Sequence, residues 1–188
     1  MTDTKARSGP LAGVKVLDFS RILSGPYASM VLADLGAEVI KVEPLEKGDE
    51  TRNFPPFHGK LSHYYIALNR SKQSLALDLK TGEGLRIAKD LARQSDILLE
   101  NFRPGVMDRL GLGYETLHAV NERLIYGSIT GFGHDSPLGN KPAFDIVAQA
   151  LSGVMSVNRE PVQAPNRLGI PMGDMAGSIF SLFGLLAA

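Results

Sequence analysis

Residues 14–43 hold two short apolar runs flanking a helix-period stretch, and that arrangement leaves few folds open. VKVLDF (14–19) reads as a strand with one charge inserted, and AEVIKVE (37–43) reads as a second strand. Between them, Ser24-Gly25-Pro26 offers a cap residue and then proline in a first helical turn. Tyr27, Met30, Val31 and Leu35 recur at helical spacing, and Gly36 supplies the stop. Strand, helix and strand joined by connections this short make the βαβ unit of a parallel sheet. The alternation continues. SLALDL (74–79) alternates as a strand, Thr81 is placed to cap a helix carrying Leu85, Ala88, Leu91 and Ala92, and DILLE (96–100) is the next strand. A short helix over 114–120 leads to RLIYGSIT (123–130). The pattern predicts an α/β domain with a doubly wound parallel sheet. From 44 to 59, where GDETRNFPPFHG interrupts it with charges, prolines and glycines, a surface loop is expected.

Charge and composition narrow the function classes. Twenty basic residues balance twenty acidic ones, so no global field draws the 188-residue chain to nucleic acid or an anionic membrane. Any anion site is local. There is no cysteine, which removes disulfides, thiolate zinc sites and cysteine nucleophiles. MTDTKARSGPLAG has no apolar run of the kind a secretory signal needs, and the expected location is cytoplasmic. The apolar stretch AGSIFSLFGLLAA (176–188) is shorter than the roughly 20 residues of a membrane span and reads as a buried helix within which the chain stops. That suggests the front part of a longer protein.

The common catalytic signatures are missing: GxGxxG after the first strand, the P-loop, HExxH and GxSxG. His58, His63, His118 and His134 lack metal-ligand spacing and read as surface or hydrogen-bonded histidines. Metal catalysis finds no support. Glu43 ends the second strand, where a dinucleotide fold places a ribose-binding acid, but without the glycine fingerprint it reads as an ordinary strand-end carboxylate. Basic residues gather at strand ends: Arg70, Lys72 and Lys80 around SLALDL, then Arg103 and Arg109 after DILLE. Open α/β sheets bind ligands outside the carboxyl ends of their strands, which makes Arg103 a phosphate candidate; solvated charge is the plain alternative. Arg52 lies in the 44–59 loop, where a solvated charge is the plain reading and pairing with a ligand anion is the alternative. Asp174, between Gly173 and the final apolar helix, is placed as that helix's N-cap, a role compatible with catalysis because a helix amino end stabilises a carboxylate.

Several ordered stretches together resemble the family III CoA-transferases, the group of formyl-CoA transferase and the carnitine CoA-transferase. They are PLAGVKVLDFSRILSGPYASMVLADLGAEVIKVE, GDETR, NRSKQSLALDLKT, ENFRPGVMDRLGLGYE, IYGSITGFG, FDIVAQALSG and GIPMGDMAG, which together span Pro10 to the end. The resemblance implies a Rossmann-like large domain with a smaller second domain, two chains interlocked as a homodimer, and a length about twice this one on the usual domain scale. By the same resemblance, residues 1–10 are a flexible segment and 11–188 the front part of the large CoA-binding domain, cut within a helix. Such a piece is expected to be inactive alone.

For single residues, the resemblance implies that Asp174 is the nucleophile and that Asp145 lies near the reacting carboxylates. It places Ile22, Leu23, Leu77, Lys80, Arg109 and Lys141 at the CoA site. It implies acyl-CoA and carboxylic acid substrates, coenzyme A as substrate and product, and no permanently bound cofactor. A racemase branch of the family uses a histidine before the acid, in a GHD sequence that corresponds to Ala143-Phe144-Asp145. Phenylalanine cannot carry a proton, so this chain is expected to transfer CoA and not to racemise. Racemase-type proton transfer and a noncatalytic CoA-binding or dimerisation module are the alternatives; the retained Asp174 speaks against the second.

Overall fold

The structure, a computed structural model, describes residues 8–139, 141–160 and 163–188. In chain order its elements are β1 (Lys15–Asp18), α1 (Ser24–Asp34), β2 (Glu38–Glu43), a 3-10 turn (Glu50–Asn53), β3 (Phe57–His58), β4 (Leu61–Ser62), α2 (His63–Asn69) and β5 (Gln73–Ala76). There follow α3 (Gly82–Arg93), β6 (Ile97–Glu100), α4 (Val106–Arg109), α5 (Tyr114–His118), β7 (Ile125–Ser128), α6 (Asp145–Leu151), α7 (Val154–Val157) and α8 (Met172–Ala187). Five strands form one sheet in the order β5-β2-β1-β6-β7, and each pairing is parallel. The chain winds outward from β1 to β5, then returns to the other side of β1. The sheet therefore reverses direction between β1 and β6, the switch point where open α/β sheets take their ligands.

Alternation along the strands sorts side chains to two faces. Leu17, Val42 and Leu98 pack with Ala88, Ala92, Met107, Leu112 and Leu117 under α3, α4 and α5. Val16, Val39, Ile97 and Leu99 pack with Ala28, Leu32, Leu182 and Leu185 of α1 and α8. α3 buries Gly84, Ala88 and Ala92 and turns Glu83, Arg86, Asp90 and Arg93 to water as an ion-pair ladder. Its N-cap is Thr81, whose hydroxyl accepts from the Gly84 N–H, as the sequence predicts. α1 also stops where expected. The Gly36 N–H bonds the Ala33 carbonyl and the Ala37 N–H bonds that of Leu32, with Gly36 at φ 106°, the paired closure that a left-handed glycine permits.

Three expectations need correction. Leu23, not Ser24, is the N-cap of α1; Ser24 lies in the first turn, and its hydroxyl accepts from Asn101. The 44–59 segment is not wholly a surface loop, because Asp49 and Thr51 are completely buried. Asp174 is not the N-cap of α8, a place held by Pro171; it stands in the helix's first turn. The expectation of a flexible start falls mostly on residues 1–7, outside the described residues, while Leu11 already bonds the Leu35 carbonyl at the end of α1. Among the described residues no helix is long and apolar enough to cross a membrane.

Candidate active site

A cleft of about 410 Å³ opens at the carboxyl ends of β1, β6 and β7. Its first wall is the turn after β1, with Arg21, Ile22 and Leu23; its second is Asn101 to Pro104 after β6. Ile129, Thr130 and Gly131 after β7 and the approach to α6 from Lys141 to Asp145 close it, and Gly173, Asp174 and Gly177 of α8 contribute as well. Asp174, Asp145, Ile22, Leu23 and Lys141 thus meet in one cavity, although as many as 152 residues separate them in the chain (174 less 22).

The two aspartates are unlike. Asp145 begins α6, and its Oδ1 accepts from the Gly173 N–H at 2.7 Å and from the Asp174 N–H at 3.4 Å. It thereby caps α8 from another helix. Its Oδ2 accepts from Gln149 Nε2 at 2.7 Å. Gln149, almost fully buried, also donates to the Ile170 carbonyl and accepts from the Leu168 N–H, so it fastens the segment that leads into α8. Asp174 differs: its carboxylate accepts no hydrogen bond among the described residues. Burial, and then the charge of Asp145, hold its carboxyl above the usual aspartate range. A desolvated carboxylate with free lone pairs beside small residues is suited to nucleophilic attack.

The wall after β1 is built by remote side chains. The Ser20 N–H donates to Asp18 Oδ1 at 2.8 Å, and Lys41 Nζ donates to the Ser20 carbonyl at 2.7 Å. Asn101 Oδ1 accepts from the Arg21 N–H and its Nδ2 donates to the Arg21 carbonyl, each at 2.8 Å. The Ile22 N–H points at Asp49 Oδ2, 3.4 Å away. Ile22 itself has φ 66°, a left-handed conformation that costs a β-branched residue roughly 1–2 kcal/mol. Gly25 belongs to the same construction: a Cβ there would stand 2.1 Å from that of Ser20.

Two buried ion pairs and one half-buried pair underlie this wall. Lys72 meets Asp18 at 3.2 Å, Lys41 meets Asp49 at 2.9 Å, and Arg52 meets Glu43 at 2.7 Å. Burial pushes the Lys72 ammonium down to about 8 against the pull of Asp18. Burial alone would raise Glu43, but the Arg52 guanidinium, the Asp49 N–H and the Ser74 and Tyr65 hydroxyls bring it down to about 2. Glu43 is therefore a hub and not an ordinary strand-end carboxylate, and Arg52, held by both of its oxygens, is not a solvated loop charge.

Leu77, Lys80 and Arg109 lie apart from the cleft lining. Leu77 is buried in the core beneath α3, with its N–H on the Glu43 carbonyl; Lys80 is exposed in the turn before α3. Arg109 is exposed on α4, its guanidinium close to Gly105. Arg103 lines the cleft and a neighbouring cavity that also includes Glu100, Tyr126 and His134. His134 is engaged with Ser128, Nε2 to Oγ at 2.9 Å, and Phe144 stands 68% exposed at the cleft beside Asp145. Asn101 and Gln149 escaped the sequence reading. Asn101 lies within the quoted ENFRPG, and a polar residue directly after a buried strand was the available signal.

A parallel α/β sheet with a cleft at its switch point, lined by two carboxylates, defines the class: an open α/β domain of the doubly wound kind. Comparison with known proteins narrows this. Residues 11–188 match CoA-transferase family III, and the chain belongs to that family. It is 43% identical over 191 residues to acetyl-CoA:oxalate CoA-transferase of Acetobacter aceti, covering 100% of this chain and 49% of that protein. It is 44% identical over 179 residues to human succinyl-CoA:glutarate CoA-transferase, covering 95% of this chain and 41% of that one. Its fold superposes with a TM-score of 0.92 on a CaiB/BaiF family protein from Brucella suis, at 38% identity, over 96% of this chain and 49% of the other. The chain spans about half the length of the relatives it matches.

Proposed function

We propose that this chain forms the CoA-binding, nucleophile-bearing part of an enzyme that moves CoA between carboxylic acids, with Asp174 as the covalent residue. The observation that carries the reading is the contrast on the cleft floor: Asp145 has both oxygens committed to α8 and Gln149, while the Asp174 carboxylate is half-buried and unbonded among the described residues. Asp174 attacks the thioester carbonyl of the donor acyl-CoA, the C–S bond breaks, and CoA leaves as thiolate from a mixed anhydride. The thiolate then attacks the Asp174 carbonyl, releasing the donor acid and leaving an aspartyl-CoA thioester. The acceptor carboxylate displaces the thiolate again, and the thiolate takes the acceptor's acyl group and frees Asp174. No net proton is taken up in the cycle.

Asp145 acts through α8 as the positioning residue, and Ile22, Leu23, Arg103 and Lys141 face the CoA, with Arg109 and, beside the nucleotide end, Leu77 and Lys80 further out. A second copy of the chain is part of the reading; Phe180 and Phe183, 73% and 60% exposed on α8, support it as an apolar face that an assembly would cover. A matrix of acyl-CoA donors against mono- and dicarboxylate acceptors, run with the full-length protein, tests the proposal. New acyl-CoA forming only when an acceptor acid is present is expected. Rapid α-deuterium incorporation into a 2-methylacyl-CoA without acceptor, or no exchange with any pair, would refute it.

A further inference from the structure

Lys41 and Asp49 are completely buried charges with no part in the chemistry above. Their contacts converge on one place. Lys41 holds the carbonyl of Ser20, Asp49 faces the N–H of Ile22, and the two side chains hold each other at 2.9 Å. They thus bracket a turn whose third residue is a β-branched side chain at φ 66°, and that turn is a wall of the cleft. A conformation of this kind persists only where its surroundings over-determine it. The aim of Asp49 is itself set, since its Oδ1 accepts from the Thr51 N–H at 2.9 Å and from the Thr51 hydroxyl at 2.7 Å, while its own N–H is held by Glu43.

We infer that Lys41 and Asp49 are positioning residues that hold the Ser20–Ile22 turn in its left-handed form, so that the CoA-facing wall is set before the ligand arrives. This rests on the reading of the cleft as a CoA site. A buried pair that served stability alone could sit anywhere under the sheet. This one instead ends on the Ser20 carbonyl and the Ile22 N–H of the strained turn, with Asn101 taking the N–H and the carbonyl of Arg21 between them.

The test is calorimetric titration of free CoA into the full-length protein. Asp49→Asn keeps the shape of the side chain and weakens its hold on Lys41 and Ile22; CoA affinity should fall about tenfold, the scale of one charge-assisted contact. Adding Ile22→Gly should recover most of that loss relative to Ile22→Gly alone, because glycine takes the left-handed form without being held. A residue that served stability alone would give no such recovery. Where Asp49→Asn does not fold, Thr51→Val, which keeps the pair and loosens its aim, should lower CoA affinity severalfold in protein that remains folded. Wild-type affinity in a folded Asp49→Asn or Thr51→Val protein, or no recovery on adding Ile22→Gly, overturns the inference alone. No CoA binding by the wild-type protein overturns both this inference and the functional reading.

Discussion

Two charged regions share the same end of the sheet and are built on opposite terms. Beneath β1 and β2, each buried charge has a counter-charge: Asp18 with Lys72, Asp49 with Lys41, Glu43 with Arg52. On the cleft floor, Asp145 and Asp174 stand together, and among the described residues neither forms an ion pair. The acidities diverge accordingly. Burial tends to raise Asp18, Asp49, Glu43 and Asp174, but the first three end below their usual range because cations and hydrogen bonds outweigh it, while Asp174 has only a neighbouring carboxylate and stays above. The carboxylates beneath the strands are satisfied by cations, whereas the Asp174 carboxylate accepts no hydrogen bond among the described residues, the state that the proposed nucleophile requires.

The sharpest way to break this contrast is to neutralise one member of each region. Asp174→Asn removes the covalent route and should cut transfer by about 10³-fold or more, with stability near wild type because the side chain has no bond to lose. In the wild-type protein, activity should fall as pH drops through the raised Asp174 value, so the acid limb of the kcat/KM profile should lie above the ordinary aspartate range. Lys72→Met should act chiefly on stability, costing about 3–5 kcal/mol in urea unfolding by stranding Asp18, while the Asp174 carboxylate stays in place. Equal stability losses at both positions would erase the distinction.

The pH dependence of stability sharpens it further. Glu43 has a folded value of about 2 against 4.5 ordinarily, so its stabilising contribution is present above pH 4.5 and is lost as pH falls toward 2. That amounts to roughly 3 kcal/mol, and melts of Glu43→Gln should lack that part of the acid slope. The smallest expected effect belongs to Arg109, which is exposed: Arg109→Ala should weaken CoA binding by under about 1 kcal/mol in calorimetry. A larger loss would mean that Arg109 becomes desolvated on the ligand.

Local patterns were the legible part. Apolar alternation located the strands, Gly36 and Thr81 marked a stop and a start, and Asp174 stood out between Gly173 and the final apolar helix, whereas Asp145 came only from the family resemblance. Strand ends were not legible, because partners set them. RLIYGSIT suggests eight residues, yet β7 keeps only Ile125–Ser128, opposite Ile97 to Glu100 of β6. The tie between Asn101 and Arg21 spans 80 residues and that between Asp145 and Gly173 spans 28, distances at which periodicity carries no signal. For the same reason Asp174 reads as a cap from sequence, whereas the carboxylate that caps α8 comes from α6.

Trapping the covalent residue tests the central claim most directly. Full-length enzyme turning over an acyl-CoA donor is quenched with hydroxylamine, digested and analysed by peptide mass spectrometry. The account predicts an adduct on Asp174 in the wild-type protein and in Asp145→Asn, and none in Asp174→Asn. An adduct on Asp145, or full turnover by Asp174→Asn, would contradict it.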